Sequence, residues 1–212
     1  MDSDIYRNRR HAGAELAAGL VHLAGRTDVV ILALPRGGVP VGYEVARALA
    51  APLDVFLVRK LGVPGRRELA MGAIASGGVR VVNAEVLAWY GLTEADLQDA
   101  AREELIELER QERRYREERP PPAVRDRVVV LVDDGLATGS TMKAAVQAVR
   151  VQGPARVVVA VPVGAPQTCS DLAGLADEVV CHQMPRDFSA VGEWYEDFSP
   201  TSDDEVRELL SG

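Results

Sequence analysis

Unbroken runs of apolar residues recur along the chain and alternate with stretches in which apolar positions fall every third or fourth residue. Continuous runs rich in β-branched residues predict strands of a parallel sheet that is covered on both faces. Such runs lie at residues 29–34, 53–58, 128–132, 157–161 and 179–182, with shorter ones at 70–75 and 79–82. Helical spacing follows at residues 39–50 and 140–151. The alternation predicts an α/β fold built on a doubly wound parallel sheet.

A long charged segment interrupts this rhythm at residues 93–119. Thr93 and Asp96 have the spacing of a helix cap. Four apolar residues then form one narrow stripe: Leu97, Ala101, Leu105 and Leu108. Most other positions are Glu or Arg, and consecutive prolines end the pattern. We predict an inserted charged helix, which is either a solvated helix lying across the domain or a dimerisation arm.

The composition is that of one folded domain. The chain has 212 residues, of which 47% are hydrophobic and 26% charged. We expect a single domain over residues 1–212, with a core at about 29–165 and a C-terminal tail from about residue 181. No apolar run approaches the ~20 residues that span a bilayer, and the polar N-terminus lacks the apolar centre of a signal peptide. Cys169 and Cys181 are too few for a disulfide framework or a zinc site, so we expect a cytoplasmic protein without a membrane partner.

The charge balance disfavours one class of partner. The formal net charge is −8, and the arginines are scattered among glutamates. Such a surface repels nucleic acid unless a local basic patch overrides it, and no such patch is evident in the sequence. We therefore expect no nucleic-acid partner.

The candidate chemistry lies at the end of the run at residues 128–132. Two adjacent carboxylates, Asp133 and Asp134, follow this predicted strand directly. In open α/β sheets ligands bind beyond the carboxyl ends of strands, often against the next helix N-terminus. The backbone N–H groups of residues 137–141 and the start of the following helix would bind an anion.

Side chains in the same loop suit a phosphate. Thr138, Ser140 and Thr141 can donate hydroxyl hydrogen bonds, and Gly139 permits close approach of the backbone. The two carboxylates would repel that phosphate, so they need a different neighbour. The vicinal hydroxyls of a ribose and a divalent cation are both suitable. A ligand that carries ribose hydroxyls beside a 5′-phosphate satisfies both halves of the loop.

The stretch "VVVLVDDGLATGST", residues 128–141, resembles the phosphoribosyl-diphosphate (PRPP) loop of the type I phosphoribosyltransferases. In that family the acid pair holds the ribose hydroxyls and the following loop holds the 5′-phosphate. The resemblance implies that Asp133 and Asp134 bind ribose. It also implies that the 5′-phosphate is bound by Ala137, Thr138, Gly139, Ser140 and Thr141.

Two further segments resemble the same family. "LPRGGVPVG", residues 34–42, is similar to its pyrophosphate loop, which implies that Arg36, Gly37 and Gly38 hold the diphosphate. "VRKLGVPGRRELAMG", residues 58–72, falls where the family has a flexible loop, and we predict a mobile loop at 61–68. The resemblance implies that the diphosphate is also bound by Arg59 and Lys60. The residues implied for catalysis are Lys60, Arg66, Arg67 and Asp134.

The resemblance implies transfer of the phosphoribosyl group from PRPP to a nitrogenous base, with release of pyrophosphate. Magnesium is the implied cofactor, with Asp133 and Asp134 as indirect contacts. The partners implied are PRPP and a small heterocyclic acceptor, and a homodimer is compatible with the charged helix. "DDGLATGST" is closer to uracil-type enzymes, which slightly favours a pyrimidine, although their C-terminal glycine-rich segment is not found.

The C-terminal tail is the expected hood over the acceptor. Its aromatic residues Phe188, Trp194 and Tyr195 either stack on a flat heterocycle or pin the tail to the domain. The alternative function is a non-catalytic PRPP or nucleotide sensor of the same fold. Neither a G-x-G-x-x-G nor a Walker motif is present in the sequence, which disfavours a dinucleotide site or a P-loop nucleotide site.

Overall fold

The computed structural model describes residues 5–117 and 119–212, except for the side chains of Arg67 and Glu68. In chain order the strands are β1 (Val29–Ala33), β2 (Leu53–Val55), β3 (Val58–Val63), β4 (Arg66–Ala75), β5 (Val79–Val82), β6 (Val128–Val132), β7 (Arg156–Val163) and β8 (Glu178–Gln183). The α-helices are α1 (Arg9–Ala18), α2 (Gly38–Leu49), α3 (Ala84–Tyr90), α4 (Glu94–Arg116), α5 (Ser140–Val151), α6 (Pro166–Ala173) and α7 (Asp203–Ser211).

A five-stranded parallel sheet with the strand order β2-β1-β6-β7-β8 forms the centre of the molecule. Successive side chains of each strand point to opposite faces. On one face, residues such as Ile31 and Val130 pack against α1 and α2. On the other face, neighbours such as Leu32 and Leu131 pack against α5 and α6. Both faces are therefore covered by helices, which confirms the predicted doubly wound sheet and explains why its strands are unbroken apolar runs.

A second, antiparallel sheet contains β3, β4 and β5. It corrects two predictions. The run at residues 53–58 is not one strand, because β2 ends at Val55 and β3 begins in the other sheet at Val58. The loop predicted at 61–68 is a β-hairpin that turns at residues 64 and 65. Gly65 has a φ of +76°, which permits the tight turn, and the strands bury the side chains of Leu61 and Val63.

The inserted charged helix is α4, and it lies against the small sheet. Thr93 and Asp96 form the reciprocal cap that the sequence predicts. Leu97, Ala101 and Leu108 are buried in a cluster with β3, β4 and α7. The apolar stripe is thus used within this chain, and a homodimer stays a prediction.

The segments around Tyr6 and Tyr195 meet at the carboxyl edge of the central sheet. Tyr6 forms a parallel bridge with Tyr195, and its backbone N–H donates to the carbonyl of Trp194 at 2.9 Å. The sequence pattern did not predict α1, although this helix packs against α2 across the sheet face. Among the described residues, no helix is both long enough and apolar enough to cross a membrane.

Candidate functional site

The acid pair lies where β6 ends. Asp133 Oδ1 accepts a hydrogen bond from the backbone N–H of Asp134 at 2.8 Å. Asp134 Oδ2 accepts one from Arg9 Nε at 2.8 Å, and the two side chains of this ion pair are only 16% and 10% exposed. The hydroxyl of Tyr195 donates to the backbone carbonyl of Asp134 at 2.6 Å. Residues from both ends of the chain therefore fix the position of the acid pair.

Burial makes the two carboxyl groups unequal. The pKa of Asp133 is raised well above its ordinary value, first by burial and then by the neighbouring charge of Asp134. Burial also raises the pKa of Asp134, but the hydrogen bond and charge of Arg9 oppose that rise. Arg9 acts more weakly on Asp133. The charged form is therefore favoured at Asp134 more than at Asp133.

The connection from β6 into α5 contains the predicted phosphate-binding residues Ala137, Thr138, Gly139, Ser140 and Thr141. All of them except Gly139 are exposed. Gly139 has a φ of +68°, and a Cβ atom there would lie 2.4 Å from Cγ2 of Thr168. The Thr168 hydroxyl donates to the carbonyl of Ala137 at 2.6 Å, which ties the loop to α6. The loop thus presents hydroxyl groups to solvent at the positive end of a helix dipole.

The turn from β1 into α2 contains Arg36, Gly37 and Gly38, and this 36–38 turn packs against the acid pair. A Cβ atom on Gly37 would lie 2.1 Å from Asp134 Oδ2. A Cβ atom on Gly38 would lie 2.7 Å from the carbonyl oxygen of Val132. Only glycine allows this approach. The structure therefore brings into contact the two loops that the sequence predicts to bind ribose and diphosphate.

Strand β3 carries Arg59 and Lys60 toward the same region. Lys60 Nζ donates to Ser140 Oγ at 2.6 Å, so this lysine reaches the predicted phosphate loop. Arg59 forms an ion pair with Glu104 of α4. The small sheet and α4 therefore hold two of the predicted diphosphate ligands beside the parallel sheet.

The contacts of the described side chains do not bring Arg66, another basic residue implied for catalysis, to this region. Arg66 Nη1 lies 3.4 Å from the hydroxyl of Tyr90, and its Cζ lies 5.5 Å from the centroid of that ring. The side chain of Arg67 lies outside the described part of the chain. A role for either arginine stays a prediction.

The three hood aromatics have different surroundings. Tyr195 is only 6% exposed, contacts the rings of Tyr6 and Phe198, and pins the tail to the acid pair. Phe188 packs against the same aromatic cluster. Trp194 lines a cleft of about 1150 Å³. Its Nε1 is buried and has no hydrogen-bond partner among the described residues. Trp194 is thus the hood aromatic that lies beside space for a ligand.

Arg9 is the site residue that the sequence did not reveal. It is nearly buried, donates to the carbonyl of Ser199 at 2.7 Å, and places its Cζ 3.9 Å from the centroid of Phe198. It lies 125 positions from its partner Asp134. The polar segment around Arg9 has no local pattern that distinguishes this arginine from its exposed neighbours. Only the fold identifies it.

The chain alone does not form a metal cage in the part that the structure describes. No group of three or more His, Cys, Asp or Glu side chains is arranged there to hold an ion. Magnesium, however, commonly binds through one or two carboxylates together with substrate phosphates. The acid pair fits such an ion only when a phosphate ligand supplies the remaining oxygens.

Comparison with known proteins agrees with this geometry. The model of the phosphoribosyl transferase domain family matches residues 3–197. The chain belongs to the phosphoribosyl transferase domain family. A Mycobacterium tuberculosis H37Rv protein named as a candidate phosphoribosyl transferase is 50% identical over 206 residues. That match covers 97% of this chain but 46% of the relative, so the chain spans about half the length of the curated relatives it matches.

Solved structures have the same fold. The protein TT1426 from Thermus thermophilus superposes with a TM-score of 0.88 at 47% identity, and the match covers 97% of both chains. A hypoxanthine-guanine phosphoribosyltransferase from Bacillus anthracis has a TM-score of 0.50 at 11% identity, over 88% of this chain and 85% of that one. This second likeness shows the fold alone. The phosphoribosyltransferase assignment suggested by the PRPP-loop motif is therefore confirmed at the level of the family.

Proposed function

We propose that the protein transfers the 5-phosphoribosyl group from PRPP to a ring nitrogen of a small heterocycle and releases diphosphate. One observation carries this proposal: the acid pair, the phosphate loop and the 36–38 turn meet at one edge of the sheet. Each of these parts suits a different portion of PRPP. The proposal concerns this chain, which is shorter than its curated relatives.

The reaction breaks the bond between ribose C1 and a diphosphate oxygen, and the diphosphate leaves with the electron pair. The acceptor nitrogen supplies the electron pair for the new bond to C1 and loses its proton to solvent. Because positive charge develops on the ribose, catalysis rests on positioning and charge stabilisation. Asp134, which Arg9 orients, would hold the ribose hydroxyls beside the reacting carbon, and Asp133 would complete that contact.

Basic side chains would stabilise the departing diphosphate. Arg36 and Arg59 line the cleft between the 36–38 turn and β3, and Lys60 donates to Ser140 of the predicted phosphate loop. Lys60 would release Ser140 and turn toward the ligand as the negative charge of the leaving group grows. When bound, magnesium would neutralise part of that charge, and Asp133 and Asp134 would contact it together with PRPP oxygens.

The cleft beside Trp194 is the proposed acceptor site. It is also lined by Tyr6 and His182, whose Nδ1 lies 2.7 Å from the Tyr6 hydroxyl. An aromatic wall and paired polar groups suit a flat heterocycle. A pyrimidine is slightly favoured by the loop sequence "DDGLATGST". The reaction is proposed to take place in the cytoplasm.

A regulatory function is the second candidate. Purine-type members of the family usually carry an acid at the position of Ala137, thought to serve the base, and this chain has none there. A protein that binds PRPP or a nucleotide and changes the behaviour of a partner would not need that group. Binding without turnover distinguishes this candidate from the transferase.

The transferase proposal predicts acceptor-dependent release of pyrophosphate. Purified protein with magnesium and PRPP would be screened against pyrimidine and purine bases, with a coupled assay for pyrophosphate. We expect at least one base to give turnover, and we expect Lys60→Met to lower its rate about 100- to 1000-fold, as for loss of one group that stabilises transition-state charge. Arg80→Met removes an exposed positive charge from the same sheet and serves as the control. Tight PRPP binding with no turnover on any base would support the sensor instead.

A further inference from the structure

A second cleft, of about 400 Å³, opens between the 36–38 turn, the start of β3 and the helix α4. Four arginines line it: Arg36, Arg59, Arg110 and Arg114. Thr141, at the start of α5, also lies on its wall and links it to the predicted phosphate loop. The cleft thus adjoins the predicted phosphate loop and the 36–38 turn of the proposed PRPP site.

The helix α4 supplies two of these arginines from a single face. Arg110 and Arg114 are four residues apart, so they lie one turn from each other. Glu107 pairs with Arg110 at 2.7 Å, and Glu104 pairs with Arg59. Neither glutamate lines the cleft. These glutamates offset part of the positive charge, but Arg59 and Arg110 still line the cleft.

One carboxylate, that of Asp203, lines the cleft, and its contacts with neighbouring side chains fix its position. Asp203, the first residue of α7, accepts a hydrogen bond from the Tyr115 hydroxyl at 2.6 Å. Arg36 Nη1 approaches the same oxygen, Oδ1, at 3.9 Å, and the other oxygen, Oδ2, lies 3.0 Å from Arg114 Nη1. Burial, together with Asp203, raises the pKa of Tyr115 to about 12, so this phenol remains a donor at neutral pH. An acidic group of the chain thus bridges arginines from two distant elements.

We propose that this cleft holds the diphosphate of PRPP, that Arg114 and Arg110 of the inserted helix are ligands of it, and that Asp203 is an internal anion which competes for the same arginines. This inference rests on the proposed function and deepens it. Guanidinium groups bind phosphate oxygens through two parallel hydrogen bonds, as they bind a carboxylate. A diphosphate carries more charge than one carboxylate and would take over Arg36 and Arg114 when it binds. The charged helix α4 then has a role beyond packing, because it completes the diphosphate site.

The test is calorimetric titration of inorganic diphosphate, with magnesium, into the full chain and four variants. Arg114→Gln keeps the apolar stem and should weaken binding at least about tenfold. Arg113→Gln is its matched control, since Arg113 is 75% exposed on the same helix and does not line the cleft. Asp203→Asn keeps a hydrogen-bond acceptor for Tyr115 and should tighten binding about three- to tenfold. Asp204→Asn, which removes the same charge from the next position at 82% exposure, should change nothing.

The outcomes separate this inference from the proposed function. Equal affinities for Arg114→Gln and Arg113→Gln, or for Asp203→Asn and Asp204→Asn, would overturn the inference even if PRPP binds and turns over. Failure of the wild type to bind diphosphate would overturn it too. PRPP titration of the wild type, together with the screen for turnover on bases, decides the proposed function independently of these variants. Thermal unfolding of each variant confirms that any lost affinity comes from a folded protein.

Discussion

Replacement of Arg9 by methionine is expected to lower the free energy of unfolding by about 3–5 kcal/mol, the usual cost of removing one partner from a buried ion pair. The change leaves Asp134 with its largely buried carboxylate but without the guanidinium that accompanies it. It also removes the hydrogen bond to the Ser199 carbonyl and the contact with Phe198. Since the acid pair would lose its orientation, PRPP affinity should fall as well.

The loss should depend on pH. Arg9 opposes the rise of the Asp134 pKa that burial causes, so its removal raises that pKa further. A carboxyl group whose pKa is raised in the folded state costs stability when it is charged, above that pKa. The deficit of the variant should therefore be larger at pH 8 than at pH 5.5, as measured by urea unfolding.

The control for this prediction is Arg26→Met, which breaks an exposed arginine–aspartate pair with Asp28. Such surface pairs contribute little to stability, because water and salt screen the two charges. If the Arg9 and Arg26 variants lose the same small amount of stability at both pH values, Arg9 does not stabilise the buried carboxylate of Asp134.

Replacement of Asp133 by asparagine is expected to stabilise the ligand-free protein and to impair the site. The neutral amide keeps an acceptor for the backbone N–H of Asp134 and removes a charge that burial and Asp134 both disfavour. A gain of about 0.5–2 kcal/mol is typical when a functional group that strains the fold is replaced. PRPP affinity should fall at least about tenfold, because a charged acceptor for a ribose hydroxyl is lost.

The direction of this pKa shift also fixes how the free energy of unfolding changes with pH. The pKa of Asp133 is raised in the folded state, so the folded protein holds this proton over a pH range in which the unfolded chain has released it. The free energy of unfolding of the wild type therefore falls as the pH rises through that range. Asp133→Asn should show a smaller fall, because the raised pKa of Asp134 still contributes, whereas the exposed change Asp99→Asn on α4 should retain the full fall. A destabilised Asp133→Asn protein with normal PRPP affinity would contradict the prediction.

Sequence patterns predict the central sheet well because its strands are covered on both faces. β1, β6 and β7 are continuous apolar runs, and Gly38 and Ser140 start helices at the expected ends of two of them. The inserted helix is also well bounded, because Thr93 caps it through a local interaction. Features that depend on neighbours in sequence are therefore predictable from sequence.

The small sheet and the hood depend on distant contacts and are not predictable in this way. Gly, Pro and Arg at residues 61–68 resemble a loop, but Leu61 and Val63 gain buried positions against α4, which is remote in the chain. The phenol of Tyr195 contacts the backbone of Asp134, 61 positions away in the chain, so no local pattern indicates this contact. Arg9, Arg114 and Asp203 likewise acquire their neighbours only through tertiary structure.

Calorimetric titration of PRPP with magnesium into the wild type and Asp134→Asn tests the central claim most directly. The claim is that the acid pair at the end of β6 binds the ribose of PRPP. It predicts clear binding by the wild type and at least an approximately tenfold loss in the variant, since Asp134 is the carboxylate whose charge Arg9 favours. Absence of wild-type binding at millimolar PRPP, or equal affinities for the two folded proteins, would contradict it.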